Sequence, residues 1–185
     1  MNKKSVVMTG MMLGLIALLP ACWPFSSKTQ TKSEPDLYVI NVLDKNSYTD
    51  CRIAGSINVP FEEVEKFAQG INKESEVVVY CANYMCSASS AAAQKLKEMG
   101  FERVWAYEGG TAEWYQMGLK NDGKYGVEGT CQASYLTADN QRAAEGQEEA
   151  QVSVITADEL YNKMVDRGII AMGQAPASVE SATPA

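Results

Sequence analysis

One cysteine of this chain stands where a protein can make a thiol reactive. Cys81 follows the apolar, β-branched run 77–79 and Tyr80, and a helix-forming run from 91 to 99 comes soon afterwards and stops at Gly100. This order predicts a buried strand, a short loop and a helix, with Cys81 at the carboxyl end of the strand. Free backbone amides and the positive end of a helix dipole favour a thiolate there. The sequence therefore predicts nucleophilic cysteine chemistry.

Composition limits what could assist that cysteine. The chain of 185 residues has no His, so the commonest general base and the usual metal ligand are missing. No C-x-x-C pair occurs either, and we predict no metal site and no cofactor. A net charge of -7, without a basic cluster after the first few residues, argues against nucleic acid as a partner. Backbone dipoles or other side chains must activate the thiol.

The beginning of the chain predicts export. Residues 1–21 have a basic start and an apolar run that is short for a membrane span, which is typical of a signal peptide. Leu-Pro-Ala-Cys, ending at Cys22, resembles the lipobox of bacterial lipoproteins. This resemblance implies lipid attachment at Cys22 and a membrane-anchored place in the bacterial cell envelope, periplasmic or outer-surface. The alternative is an ordinary signal peptide or an uncleaved anchor. Residues 22–34 are rich in Ser, Thr and Lys and predict a flexible tether.

Export changes how the remaining cysteines are interpreted, because compartments outside the cytoplasm permit disulfides. Cys51, Cys81, Cys86 and Cys131 allow three complete pairings, and spacing alone does not choose among them. Cys86 is either a structural cysteine that packs or pairs with a distant one, or a resolving thiol for Cys81.

Strand and helix patterns alternate along the chain, which predicts a mainly parallel sheet with helices on both faces. Ligands bind such sheets at the carboxyl ends of strands, where Cys81 lies. We assign residues 35–135 to one domain, within which 120–135 read as a loop that Cys131 could staple to the body. Residues 136–151 read as a polar linker and 171–185 as a disordered tail.

The order of several motifs resembles the rhodanese-like sulfurtransferase family over residues 35–119. These motifs are Tyr48, the run 53–60 with Gly55 and Pro60, the run 77–81, Gly100-Phe101, Gly109-Gly110 and Trp114. The resemblance implies a single α/β rhodanese-like domain. It also implies that Cys81 takes up sulfane sulfur as a persulfide. The loop after Cys81 would then bind the anionic substrate through Ala82, Asn83, Tyr84, Met85, Cys86 and Ser87.

The sequence departs from the family pattern in that loop. The family has Gly and Arg where this chain has Tyr84 and Cys86, whereas Ser87 is kept. Loss of the arginine disfavours thiosulfate, a dianion that needs compensating charge. Arg52 could supply that charge. The expected partner is a small sulfur-containing anion or a protein persulfide or thiol. The alternative functions are a Cys81/Cys86 thiol-disulfide redox protein and a non-catalytic binding module.

Residues 152–170 resemble the strand and helix that ordinarily open a rhodanese domain, which are missing before residue 35. Thr156 is a predicted N-cap, with Glu159 as its capping-box partner. Either a circular permutation lets this segment complete the domain, or it is a truncated second repeat. We favour the permutation, because an isolated strand and helix cannot bury their own apolar face.

Overall fold

The computed structural model describes residues 36–142 and 152–171, all within one compact unit. The predicted signal peptide, lipid-attachment residue Cys22, tether and tail lie outside these residues. The strands are β1 (Leu37–Asn41), β2 (Cys51–Ile53), β3 (Ile57–Asn58), β4 (Glu76–Tyr80), β5 (Val104–Tyr107), β6 (Val127–Gly129) and β7 (Ser153–Val154). The helices are α1 (Lys45–Asp50), α2 (Val64–Ala68), α3 (Ala88–Glu98), α4 (Gly110–Lys120) and α5 (Ala157–Asp166).

The main sheet has five strands in the order β3-β1-β4-β5-β7, and every neighbouring pair is parallel. Strand β4 is central: Val79 pairs with Ile40 on one side and with Ala106 on the other. Helices cover both faces, so the predicted α/β class with a mainly parallel central sheet is confirmed. Among residues 36–142 and 152–171, no helix combines the length and apolarity needed to cross a bilayer.

Alternate residues of β4 pack into opposite layers, which explains why its sequence is continuously apolar. Val77, Val79 and then Cys81 belong to a cluster that includes residues of α2 and α3. Val78 and Tyr80 belong to a second cluster with residues of α4 and α5. The pleat therefore directs Cys81 toward α3, the helix that follows it in sequence.

A second, two-stranded sheet is formed by β2 and β6, which pair antiparallel with Cys51 opposite Gly129. The expectation of a loop over 120–135 missed β6, because three residues in a Gly-rich stretch give no usable periodicity. Cys131 forms a disulfide with Cys51, so it does staple this stretch to the body. Cys81 and Cys86 are the free cysteines of the described residues.

Removing the disulfide will destabilise the domain. The bond closes a loop with a sequence separation of 80 residues, and a bond of this kind typically contributes roughly 2–4 kcal/mol. We expect Cys51→Ala with Cys131→Ala to lower the free energy of unfolding by about that amount in urea titrations. Wild-type protein under a strong reductant should show the same loss, and an unchanged midpoint in both samples would contradict the prediction.

Residues 152–171 are built into the domain. β7 pairs parallel with β5, placing Val154 opposite Ala106, and α5 buries Leu160 and Met164 in the second cluster. The predicted capping box is confirmed, since Thr156 accepts from the Glu159 N–H while the Glu159 carboxylate accepts from the Thr156 N–H. Circular permutation stays a prediction.

Candidate functional site

Cys81 lies at the carboxyl end of β4 and has no exposed surface. Its thiol donates to the backbone carbonyl of Cys86 at 3.0 Å, and its sulfur lies 3.5 Å from the Ser89 hydroxyl in the first turn of α3. Ser87 is the N-cap position of that helix, but its side chain makes no capping hydrogen bond. The sulfur of Cys81 therefore faces both a carbonyl oxygen and the start of a helix.

Three backbone amides of the loop after Cys81 already have partners. The Tyr84 N–H donates to Asn140 Oδ1 at 3.0 Å, and the Met85 N–H donates to Asn83 Oδ1 at 3.1 Å. The Cys86 N–H donates to the Asn83 carbonyl at 3.0 Å. Met85 itself is 85% exposed. Two of these hydrogen bonds stay within the predicted substrate loop and one goes to Asn140, so none of the three N–H groups is free to bind a substrate anion.

Hydrogen-bond donors act on both thiols, and at Cys81 they are the hydroxyl and the N–H of Ser89. The Cys81 thiol and the Ala88 and Ala82 N–H groups interact with the Cys86 sulfur and lower the pKa of that thiol to about 6, despite its partial burial. The pKa of Cys81 is raised instead, because its thiol donates to Cys86 and because it is buried. The partial exposure of Cys86 and its donors favour a thiolate there, whereas burial disfavours one at Cys81.

The start of α4 holds the other side of the loop. The Thr111 N–H donates to the Cys81 carbonyl at 3.0 Å, and the Ala112 N–H donates to the Ala82 carbonyl at 2.9 Å. Gly110 has φ +62, and a Cβ there would lie 2.6 Å from the Cys81 carbonyl oxygen. The close approach of the two segments thus depends on this glycine.

Carboxylates surround the same loop. Tyr84 donates its hydroxyl to Glu113 at 2.9 Å, and burial together with that carboxylate raises the pKa of Tyr84 to about 12. Glu108 lies 3.5 Å from the Ser90 hydroxyl in the first turn of α3 and pairs with Arg142 at 3.0 Å. With two acids and one base, this neighbourhood has a net negative charge.

Sequence reasoning missed four of these residues, namely Glu108, Glu113, Asn140 and Arg142. Glu108 and Glu113 lie on either side of the Gly109-Gly110 motif in the sequence. Their position next to a recognised motif could have marked them as site residues. Asn140 also donates to the Gly109 carbonyl at 3.1 Å, yet it lies in a stretch that reads as a linker, where no pattern marks it.

Arg52 does not offer a free positive charge to the loop. Its guanidinium pairs with Glu128 at 2.8 Å and lies 5.0 Å from the Tyr48 ring centroid. Within the described ranges, 36–142 and 152–171, no group of three or more His, Cys, Asp or Glu could hold a metal ion.

Comparisons with known proteins agree with this architecture. Residues 27–117 match the model of the rhodanese-like domain. The thiosulfate sulfurtransferase GlpE of Coxiella burnetii is 32% identical over 79 residues, a stretch that covers 43% of this chain and 72% of GlpE. The chain belongs to the rhodanese-like family.

Two further proteins are similar at comparable levels of identity. The putative sulfur carrier protein YrkF of Bacillus subtilis is 29% identical over 87 residues, which cover 47% of this chain and 46% of YrkF. The crystal structure of the Bacillus halodurans protein BH2092 superposes with a TM-score of 0.46 at 30% identity, covering 58% of this chain and 75% of BH2092. The names of the relatives GlpE and YrkF, a sulfurtransferase and a putative sulfur carrier, indicate a sulfur-transfer family.

Proposed function

We propose that this protein is an exported, lipid-anchored sulfurtransferase that moves sulfane sulfur through a persulfide on Cys81. The observation that carries the proposal is the pair of free, interacting thiols where β4 meets α3. Ser89 lies beside the Cys81 sulfur, and the amino end of α3 favours a negative charge on sulfur.

The reaction has two balanced steps. A thiolate at the site attacks the outer sulfur of a donor R–S–SH; the donor S–S bond breaks, and R–S⁻ leaves with the electron pair. The sulfur is then held as Cys81–S–SH, and an acceptor thiolate R′–S⁻ removes it as R′–S–SH, which restores the Cys81 thiolate. No external oxidant or reductant is required.

The charges around the site favour a thiol persulfide over thiosulfate as donor. The relative GlpE is named a thiosulfate sulfurtransferase, but Cys86 here replaces the arginine that the family pattern has. Glu108 and Glu113 also add negative charge near the loop. A dianion would have to approach without the bidentate partner that an arginine provides.

Export and anchoring are supported by two features of the chain. The basic start, apolar run and lipobox-like residues before Cys22 fit a bacterial lipoprotein signal. The Cys51–Cys131 disulfide fits an oxidising compartment. Labelling cells with a clickable fatty acid tests the anchor: wild type should take up label and Cys22→Ser should not.

Intact-mass measurement tests the proposed reaction. Purified, pre-reduced full-length protein is mixed with glutathione persulfide or with thiosulfate, and alkylation stops the reaction. We expect the mass of one added sulfur from the persulfide and much less from thiosulfate, and fragmentation should assign that sulfur to Cys81 once loading is complete. In Cys81→Ser, residue 81 should carry no sulfur. Thermal melts of the variant confirm that it is folded. Absence of any sulfur adduct on folded wild type would contradict the proposal, and an unchanged protein mass would leave the binding-module alternative.

The two free thiols also support a second candidate, a thiol-disulfide redox pair. Cys86 would attack the inner sulfur of Cys81–S–SH, forming a Cys81–Cys86 disulfide and releasing hydrogen sulfide. The same mass measurement separates the two functions, because the redox reaction removes two hydrogens from the protein and adds no sulfur.

A further inference from the structure

The geometry points to Cys86 as the thiol that first receives the sulfur, with Cys81 as the buried thiol to which Cys86 passes it. This inference rests on the proposed sulfur transfer and assigns Cys86 a catalytic role in it, at a position where the family pattern has an arginine.

Access is the first reason. Cys81 has no exposed surface and lies beneath the loop, whereas Cys86 is only partly buried and follows the exposed Met85. A thiolate attack needs the attacking sulfur in line with the donor S–S bond. A donor as large as a peptide persulfide can meet Cys86 at the surface but cannot reach Cys81 without displacing the loop.

The distribution of hydrogen-bond donors and acceptors is the second reason. The Cys86 sulfur is approached by the Ala82 and Ala88 N–H groups, which stabilise negative charge. The Cys81 thiol donates to the Cys86 carbonyl oxygen at 3.0 Å, which favours its protonated form. In the resting protein the site therefore favours a sulfur anion at Cys86 and a protonated thiol at Cys81, while Ser89 and the start of α3 lie beside Cys81 and can stabilise the persulfide that it receives.

The thiol proton of Cys81 completes the relay. Cys86–S⁻ attacks the outer sulfur of R–S–SH and becomes Cys86–S–SH, while R–S⁻ leaves with the electron pair. The Cys81 sulfur next attacks the outer sulfur of Cys86–S–SH, the Cys86 S–S bond breaks, and the Cys81 thiol proton moves to the departing Cys86 sulfur. The products are Cys81–S–SH and Cys86–SH, and the same steps in reverse deliver sulfur to an acceptor thiolate.

Rapid quenching of the wild-type protein tests the order without any mutation. Glutathione persulfide is mixed with pre-reduced full-length protein, alkylated at increasing times, and the added sulfur is assigned by peptide mass mapping. We expect it on Cys86 first and on Cys81 later. Sulfur that appears on Cys81 without prior labelling of Cys86, or a Cys81–Cys86 disulfide with release of sulfide, would overturn the inference.

Two variants give an independent readout. Cys81→Ser has no thiol at position 81 to receive the sulfur, so it should still load Cys86 and should retain the sulfur there. Cys86→Ser should load Cys81 at least about tenfold more slowly, because the remaining thiol is buried and poorly ionised. If Cys86→Ser loads as fast as wild type, the relay is wrong while the proposed function stands. If folded wild type takes up no sulfur, the proposed function itself fails.

The pH dependence of alkylation adds a check that a merely structural cysteine would not pass. Iodoacetamide should modify Cys86 before Cys81, with an inflection near pH 6, because the thiolate is populated above its lowered pKa. The charged and titratable groups around the loop are Cys81, Tyr84, Glu108, Glu113 and Arg142. Preferential modification of Cys81 would contradict the assignment.

Discussion

A chain that ends at residue 151 will lose its native fold. The truncation removes β7 and α5, and with them four buried side chains of the second cluster, Ile155, Leu160, Tyr161 and Met164. Each such side chain contributes roughly 1.5–3 kcal/mol when fully buried. Their sum is comparable to the total stability of a typical domain, which is about 5–15 kcal/mol. We expect no cooperative thermal transition, measured by circular dichroism.

The matched control ends at residue 171, which keeps every residue that the structure describes after 151. It should melt close to the full chain. A cooperative transition at the same temperature in both truncations would show that α5 adds little, and would contradict the prediction.

A rearranged chain tests the proposed permutation directly. Residues 152–171, placed before residue 36 through a Gly/Ser linker, should restore a cooperative transition to the chain that ends at 151. The physical reason is that β7 pairs only with β5 at the edge of the sheet, so its place in the sequence is not fixed by a second neighbour. If the rearranged chain does not fold while the control that ends at residue 171 does, the truncated-repeat alternative is favoured.

Gly110→Ala will both destabilise the domain and impair sulfur loading. Its backbone has φ +62, and the added Cβ would lie 2.6 Å from Ala82 C and from the Cys81 carbonyl oxygen. These are backbone atoms, so no side-chain rotation can relieve the overlap. We expect a loss of about 3 kcal/mol or more in urea titrations. The loading rate should fall as well, because the hydrogen bonds from Thr111 and Ala112 that position the loop must shift.

Gly168→Ala is the matched control that separates the cost of a positive φ from the cost of steric overlap with neighbouring backbone atoms. Gly168 has a nearly identical φ of +64, but its added Cβ would meet nothing within 4 Å. Its cost should be that of the left-handed backbone alone, about 1–2 kcal/mol, with sulfur loading unchanged. Equal losses in the two variants would mean that contact with the Cys81 loop is not what requires glycine at 110.

The parts of the fold that the sequence predicts are those with repeated local signals. The apolar run before Cys81, the helix stop at Gly100 and the Thr156/Glu159 capping box each mark an element that the structure contains. The short strands β2 and β6 were not predicted, because three residues carry too little periodicity and their pairing joins distant parts of the chain.

The site was predictable in position and only partly in chemistry. Strand, loop and helix signals place Cys81 at the carboxyl end of β4, where the structure has it. The direction of the loop amides was not predictable. The Tyr84 N–H is held by Asn140, which lies 56 residues after Tyr84 in the sequence. Such long-range hydrogen bonds leave no local mark in the sequence.

The two-sided packing of β4 has a consequence for insertions and deletions. Because side chains alternate between layers, gaining or losing one residue between Glu76 and Cys81 would exchange the faces of everything beyond that point. Cys81 would then turn toward α4 and α5, away from Cys86 and the start of α3. The place of the Cys81 thiol is therefore specified by a count of residues along one strand as much as by the residue type itself.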